Sequence, residues 1–393
     1  MLDLYWDPYD TAIDTDPYDI WRRMRDEAPL YRNEKHDFWA LSRFDDVEAA
    51  HRDPKTYSSA HGTVLELIQD EPIDTGQMIF MDPPDHTRLR ALVSRAFTPR
   101  RIGQLEGRIR ELCRDFLDRA GPSFDYVQDF GARLPAMVIA SLLGVPVEDQ
   151  DRVRHMIDTV FHIEPGVGMI NDVSFQAQID LHGYLTGQLE QRLAEPRDDM
   201  LTDLVRAEIT EPDGTVRRLS MKDTADFSLL LISAGTETVA RLLGWAAVVL
   251  DEHPDQRAAL AADPSLIPNA VEELLRYEAP SPVQGRWTTT DVELHGSLVP
   301  AGSTVLLLTG SAGRDERKYP DADRFDIHRS FDHHVSFGYG IHFCLGAALA
   351  RMEGRIALEE TLRRHPSWTV DRDNAVRLHT STVRGWINVP IST

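Results

Sequence analysis

The run Phe337-Gly338-Tyr339-Gly340-Ile341-His342-Phe343-Cys344-Leu345-Gly346, with Ala347-Ala348-Leu349-Ala350-Arg351 directly behind it, places one of the chain's two cysteines among three glycines. The glycines let the backbone approach closely and turn sharply around Cys344. A helix beginning at once after the loop points its amide-rich N-terminus at the sulfur, a setting that favours the ionised, metal-ligating thiolate. Standing alone, a cysteine in an apolar stretch is a small buried hydrophobe. The surrounding string separates these readings, together with what the rest of the chain supplies.

At 393 residues the chain is long enough to bury a large core and a cofactor in one unit. Apolar content of 42% and charged content of 27% describe an ordinary globular protein. The balance of 64 acidic against 42 basic residues, formally −22, argues against nucleic acid as a partner. Cys113 lies in a helical pattern and is expected to be structural. Two cysteines offer no disulfide framework, which suits a reducing cytoplasm. The N-terminus Met1-Leu2-Asp3-Leu4-Tyr5-Trp6 lacks the basic start and apolar run of a signal peptide. No stretch approaches the roughly 20 apolar residues of a membrane helix. The expectation is a cytoplasmic protein without a membrane segment.

Most of the middle follows helical periodicity. Asp82-Pro83-Pro84-Asp85 predicts a helix to about Phe97, and Thr98-Pro99 caps the next, reaching about Ala120. Further helices are expected over about 130–143, 149–162, 172–194, 199–207, 220–251, 254–262 and 265–278. Leu229-Leu230-Leu231-Ile232 and Leu242-Leu243 predict burial of the 220–251 segment on several sides. Strand signals gather at the edges. Tyr31 to Leu41 predicts a hairpin, and Arg286 to Thr289 with Val292 to Leu294 a second. Thr304 to Leu308 predicts a buried strand after a turn, and Trp368 to Val370 with Arg384 to Val389 a small closing sheet.

Four further groups carry chemistry. The long helix contains Ala234-Gly235-Thr236-Glu237-Thr238. Glu273-Leu274-Leu275-Arg276 sets opposite charges three apart on one helical face, in isolation an ordinary solvated pair. His86 and Arg90, four apart, share a face, and Arg286 precedes Thr288-Thr289-Thr290. With the Cys344 run matching Phe-Gly-x-Gly-x-His-x-Cys-x-Gly throughout, these motifs in this order resemble the cytochrome P-450 family from roughly residue 20 to residue 390.

The resemblance implies a mainly α fold with a minor β region, the cytochrome P-450 fold, as a single triangular haem-enclosing domain over residues 1–393. It implies a bacterial-type haem-thiolate monooxygenase with haem b. Cys344 would be the axial iron ligand, in a loop shared with Phe337 and Gly338. Sulfur donates electron density, which favours O–O bond cleavage. The two haem propionates are costly to bury unpaired, and His86, Arg90, Arg286 and His342 match the groups that would pair with them. Ala234 and Gly235 would leave room for dioxygen, and Glu237 with Thr238 would deliver protons to it. Thr238 alternatively donates to the carbonyl of Ala234 four residues earlier, and both readings can hold together. Glu273 and Arg276, with Arg324 downstream, would form a buried structural brace. Two departures put loop geometry in question: Gly313-Arg314-Asp315 replaces the usual Asn-Arg-Asp, and Ala322 replaces a proline.

With no reductase or flavin fingerprint in the chain, the resemblance implies a ferredoxin-type electron donor. Arg100, Arg101, Arg108, Arg110, Arg114, Arg119, Arg351 and Arg355 would surround the docking face, or be balanced by Glu106, Glu111, Asp115 and Asp118. By the resemblance, Val64, Leu65, Leu67, Ile68, Met78, Phe161, Ile163, Met169 and Val283 would line a largely apolar pocket for a hydrophobic small-molecule substrate, and the enzyme is expected to be a monomer. Alternatives are a peroxygenase, a C–C coupling enzyme or a desaturase, a zinc site built from His333, His334, His342 and Cys344, or a haem sensor.

Overall fold

The computed structural model describes residues 4–94, 97–161, 171–210, 214–330 and 332–393. Helices dominate, and at their centre runs Met221–Glu252. Ser220 caps it by accepting from the Asp223 amide at 3.0 Å. Its aliphatic run, with Trp245, Val248 and Val249, lies in the main core. The hydroxyls of Thr224, Ser228, Thr236 and Thr238 each donate to the carbonyl four residues earlier, so polar side chains enter the core already satisfied. This helix is long and apolar enough to cross a membrane, but 78% of its most apolar window is buried inside the protein. Burial against other helices, which the composition test ignores, accounts for its apolarity.

Around it pack Arg133–Leu143, Asp172–Ala194, Ile267–Tyr277 and Ala347–Arg364. The segments 172–194 and 254–262 match their predicted bounds. The expected 82–97 helix covers Asp85–Val93, and residues 95 and 96 lie outside the described residues. Asp82 does not cap it: its carboxylate accepts from Ser58 and from the Ser59 amide. The expected 99–120 helix divides at Leu105 into Pro99–Gln104 and Glu106–Arg119.

The main sheet runs in the order Leu30–Asn33, Phe38–Leu41, Thr304–Leu307, Gln284–Thr288, Tyr57–Ser58. Val305 opposes Arg286 in its antiparallel ladder, which fixes where the Arg286 side chain starts. Two strand expectations need correction. Residues 286–289 do not pair with 292–294; Val292–Leu294 turns back on Ser297–Val299 instead. The C-terminal strands belong to two sheets: Thr369–Val370 joins Pro390–Ser392 and Ser123–Asp125, while Arg384–Asn388 pairs with Val376–His379. Short strands with mixed burial leave partner choice to tertiary packing.

Glu273 and Arg276 are both fully buried and bidentate, at 2.7 Å for each contact. Arg276 also donates to the carbonyls of Gly313 at 2.7 Å and Ala322 at 2.8 Å. The second arginine on Glu273 is Arg329, at 3.1 Å, and not Arg324, which contributes its backbone carbonyl to Arg276 and Arg329. Spacing alone did not show that the loop turns back by five residues before its guanidinium reaches Glu273. Both departures from the family pattern lend backbone carbonyls to Arg276. At Gly313 a Cβ would sit 2.4 Å from the carbonyl oxygen of Arg276, so the close approach demands glycine.

Candidate active site

The cysteine loop is held by its own backbone. Gly338 and Gly340 have φ of +68° and +70°, which side chains disfavour. At Gly340 a Cβ would lie 2.5 Å from the carbonyl oxygen of His51, at the end of helix Phe44–Arg52. The Cys344 amide donates to the Phe337 carbonyl at 2.9 Å. The loop is moored to helix Ile267–Tyr277: Ser336 donates to the Leu275 carbonyl at 2.6 Å, and Glu272 binds His334 at 3.2 Å and Arg351 at 2.6 Å. Arg351 also lies 4.5 Å over the Phe337 ring.

Burial pushes the Cys344 thiol up, outweighing the Gly346 amide, Arg90 and Arg351, which favour the thiolate. Burial thus opposes the ionised form that the loop amide and the two arginines favour. A directly bound metal cation deprotonates a coordinating thiol outright. Cys344 is deep in the protein yet retains accessible surface, as a side chain bordering a cavity does.

Beside it lies a set of cationic and imidazole groups short of anions. The His86 and His342 rings are 4.2 Å apart between centroids. Both nitrogens of His86 and Nε2 of His342 are buried without a hydrogen-bond partner among the described residues. Burial, then Arg286 and His86, drive the His342 pKa down to about 2; burial and Arg90 bring His86 to about 4. Burial brings Arg286 down to about 10, opposed only by Asp82, and lowers Arg90 as well. Buried polar groups are normally paired, and this set lacks two carboxylates. The pattern fits a haem with its propionates.

Ala234 is exposed and Gly235 and Thr238 partly so, in the middle of an otherwise buried helix. The Thr238 hydroxyl donates to the Ala234 carbonyl at 2.9 Å. The buried carboxylate of Glu237 pairs with Arg241 at 2.8 Å, and Arg241 donates to the Trp386 carbonyl. Burial raises the Glu237 pKa, with Arg241 opposing. Arg241, like Arg329 and His51, drew no notice in the sequence; for Arg241 the signal was its place four residues beyond Glu237.

His333 pairs with Glu48, His334 with Glu272, and His342 faces His86, so the four candidates for zinc do not converge. Ile163 and Met169 lie outside the described residues; Met78 and Val283 are buried in two separate core clusters. Of the arginine face, Arg101, Arg108, Arg110, Arg114, Arg119, Arg351 and Arg355 are each paired with a carboxylate. An open groove of about 840 Å³ lined by Arg152, His155, Gln176 and Asp180 shares none of the site's residues.

Cys113 is buried, as expected of a structural thiol. Near it, in the helix after the loop, Glu353 is fully buried with Oε2 unpartnered among the described residues, and burial raises its pKa from 4.5 to about 8. The folded state then keeps a proton that the unfolded chain releases, so stability falls as pH rises from 4.5 to about 8. Glu353→Gln is expected to remove that slope: its melting temperature should equal the wild type's below pH 4.5 and exceed it increasingly up to about pH 8. Parallel pH profiles of the two proteins would contradict this.

A partly accessible cysteine on a glycine loop, a neighbouring set of unpaired imidazoles and buried arginines, and a central helix exposed at Ala234 are the site's elements. The cytochrome P450 family model matches residues 29–265 and 261–383. A putative cytochrome P450 123 of Mycobacterium tuberculosis is 44% identical, covering 99% of this chain and 97% of its own. The vitamin D(3) 25-hydroxylase of Pseudonocardia autotrophica is 39% identical, covering 96% and 93%. The open structure of cytochrome P450 EryK from S. erythraea superposes with a TM-score of 0.88 at 37% identity, covering 97% and 96%, and a mutant of EryK has been solved with erythromycin B. The chain belongs to the cytochrome P450 family: it is a P450 monooxygenase acting on organic substrates, with that family's mainly helical fold.

Proposed function

We propose that residues 1–393 form one haem b-enclosing unit, a cytoplasmic and monomeric monooxygenase that draws electrons from a ferredoxin-type donor and hydroxylates or epoxidises a hydrophobic substrate. The anion-deficient cluster beside Cys344 carries this reading, because a haem's propionates supply what His86, His342, Arg90 and Arg286 lack. When bound, haem supplies oxygen activation, with the Cys344 thiolate donating electron density. Phe337 and Gly338 would shape the loop that holds it through Cys344. The small side chains at Ala234 and Gly235 would leave room for dioxygen. Thr238 Oγ1 holds a proton there and can turn it from the Ala234 carbonyl. Glu237, tethered by Arg241, is the carboxyl that exchanges protons behind it. Glu273 and Arg276 brace the loop. The vitamin D(3) and erythromycin B named with two relatives support a bulky organic substrate.

The test is turnover on a substrate chosen by its low-to-high spin shift. Product is expected with ferredoxin, ferredoxin reductase and NAD(P)H; product with hydrogen peroxide but none with that system would favour a peroxygenase and overturn the electron-donor assignment. Thr238→Ala is expected to keep the carbon-monoxide spectrum while product per NAD(P)H consumed falls about tenfold or more. Full coupling in that variant would remove Thr238 from proton handling.

A further inference from the structure

One residue of the anion-deficient cluster belongs to no motif. His51 ends helix Phe44–Arg52 and is 4% exposed. Neither ring nitrogen has a hydrogen-bond partner among the described residues. Leaving both donor and acceptor of a buried imidazole unmade is costly, and such groups ordinarily have a purpose or a partner. The ring is anchored where the cysteine loop passes. Its Cε1 and Nδ1 lie 3.6 and 3.9 Å from where a Gly338 Cβ would be, and its carbonyl meets Gly340. Arg52, the next residue, sits 4.5 Å over the Tyr339 ring, so the helix end and the loop are fastened together. Electrostatically His51 belongs with the same set: Arg286 acts on it, and it acts on His342. Burial, then Arg286, holds it neutral with a pKa of about 3. A neutral imidazole still carries one N–H to donate.

We propose that His51 is a further binding residue for the haem, donating an imidazole N–H to a propionate carboxylate from the end of helix Phe44–Arg52. This rests on the haem reading above and adds a fifth group to the four that the family motifs identify. It also gives that helix a role: its last turn joins the cysteine loop and the propionates in one unit. Arg286 alone donates to its own neighbour, the Gly285 carbonyl at 2.6 Å, and faces Asp82 as its nearby anion. Two propionates therefore have room for more than one donor on this side.

The test uses haem-loaded wild type, His51→Phe and His51→Gln. A hydrogen bond to a charged group predicts that His51→Phe loses haem to excess apomyoglobin about tenfold faster than wild type. The resonance Raman propionate-bending band should shift in His51→Phe and return toward the wild-type position in His51→Gln, which keeps a donor. An unshifted band in both variants overturns the proposal whatever the haem-loss rates, since a packing defect alone speeds loss without touching the carboxylates. Should His51→Phe not fold, a third variant, His51→Ala, takes its place: a band and a loss rate in His51→Gln identical to those of His51→Ala would overturn it. Wild type that gives no thiolate-type carbon-monoxide spectrum would sink the haem reading itself; that spectrum with an unmoved propionate band sinks His51 alone.

Discussion

Cys344→Ala is expected to abolish the red-shifted Soret band that the reduced wild type gives with carbon monoxide, and with it monooxygenase turnover. The substitution removes only the sulfur. Alanine keeps the Cβ, and the amide that donates to the Phe337 carbonyl at 2.9 Å is untouched. The positive φ at Gly338 and Gly340 and the mooring at Leu275 and Glu272 also remain. The loop should therefore fold in the variant, and the spectral loss reports ligation and not collapse. The loss in turnover should exceed the roughly 10–100-fold that removal of an outer-shell group costs, because the ligand itself is gone. Haem content, measured separately, should fall less than turnover, since the proposed propionate partners His86, His342, Arg90 and Arg286 are unchanged. A thiolate-type band surviving in Cys344→Ala would overturn the assignment, as would its absence from freshly purified wild type.

How much of this was legible in the sequence depends on the kind of information each feature carries. Local features were: the 172–194 and 254–262 helices, because caps and apolar period act within a few residues. The cysteine loop was too, since it needs glycine where φ is positive. What failed was partner choice across long separations. Val292–Leu294 could pair with either flank, and only packing selects Ser297–Val299. The arginine on Glu273 is Arg329 and not Arg324 because loop path, not spacing, delivers a guanidinium. At Cys344 the helix N-terminus that favours the thiolate is visible in sequence, but the burial that opposes it is not. His51 is the clearest instance. A single histidine at the end of an amphipathic helix carries no signal until the fold sets it against Gly338.

The arrangement at Glu273 makes a ranked prediction about folding. Its carboxylate takes Arg276 on both oxygens at 2.7 Å, Arg329 at 3.1 Å and the Asp326 amide at 2.9 Å. Removing one partner of a buried pair costs about 3–5 kcal/mol, because the other charge stays buried and uncompensated. Glu273→Ala strands the most: Arg276, fully buried, and Arg329 lose their anion together. Arg276→Ala leaves Glu273 partly compensated by Arg329 but frees the carbonyls of Gly313 and Ala322. Arg329→Ala removes the most accessible member, its side chain 9% exposed. The loss of stability in urea unfolding should therefore run Glu273→Ala, then Arg276→Ala, then Arg329→Ala, with the first at or above about 4 kcal/mol. Arg276→Lys should not rescue, since an ammonium cannot span both carboxylate oxygens while also reaching two carbonyls. Haem retention should follow the same order, because Leu275 and Glu272, which hold the cysteine loop, ride on the same helix. Equal losses in all three variants would mean that the helix, and not the ion network, carries the stability.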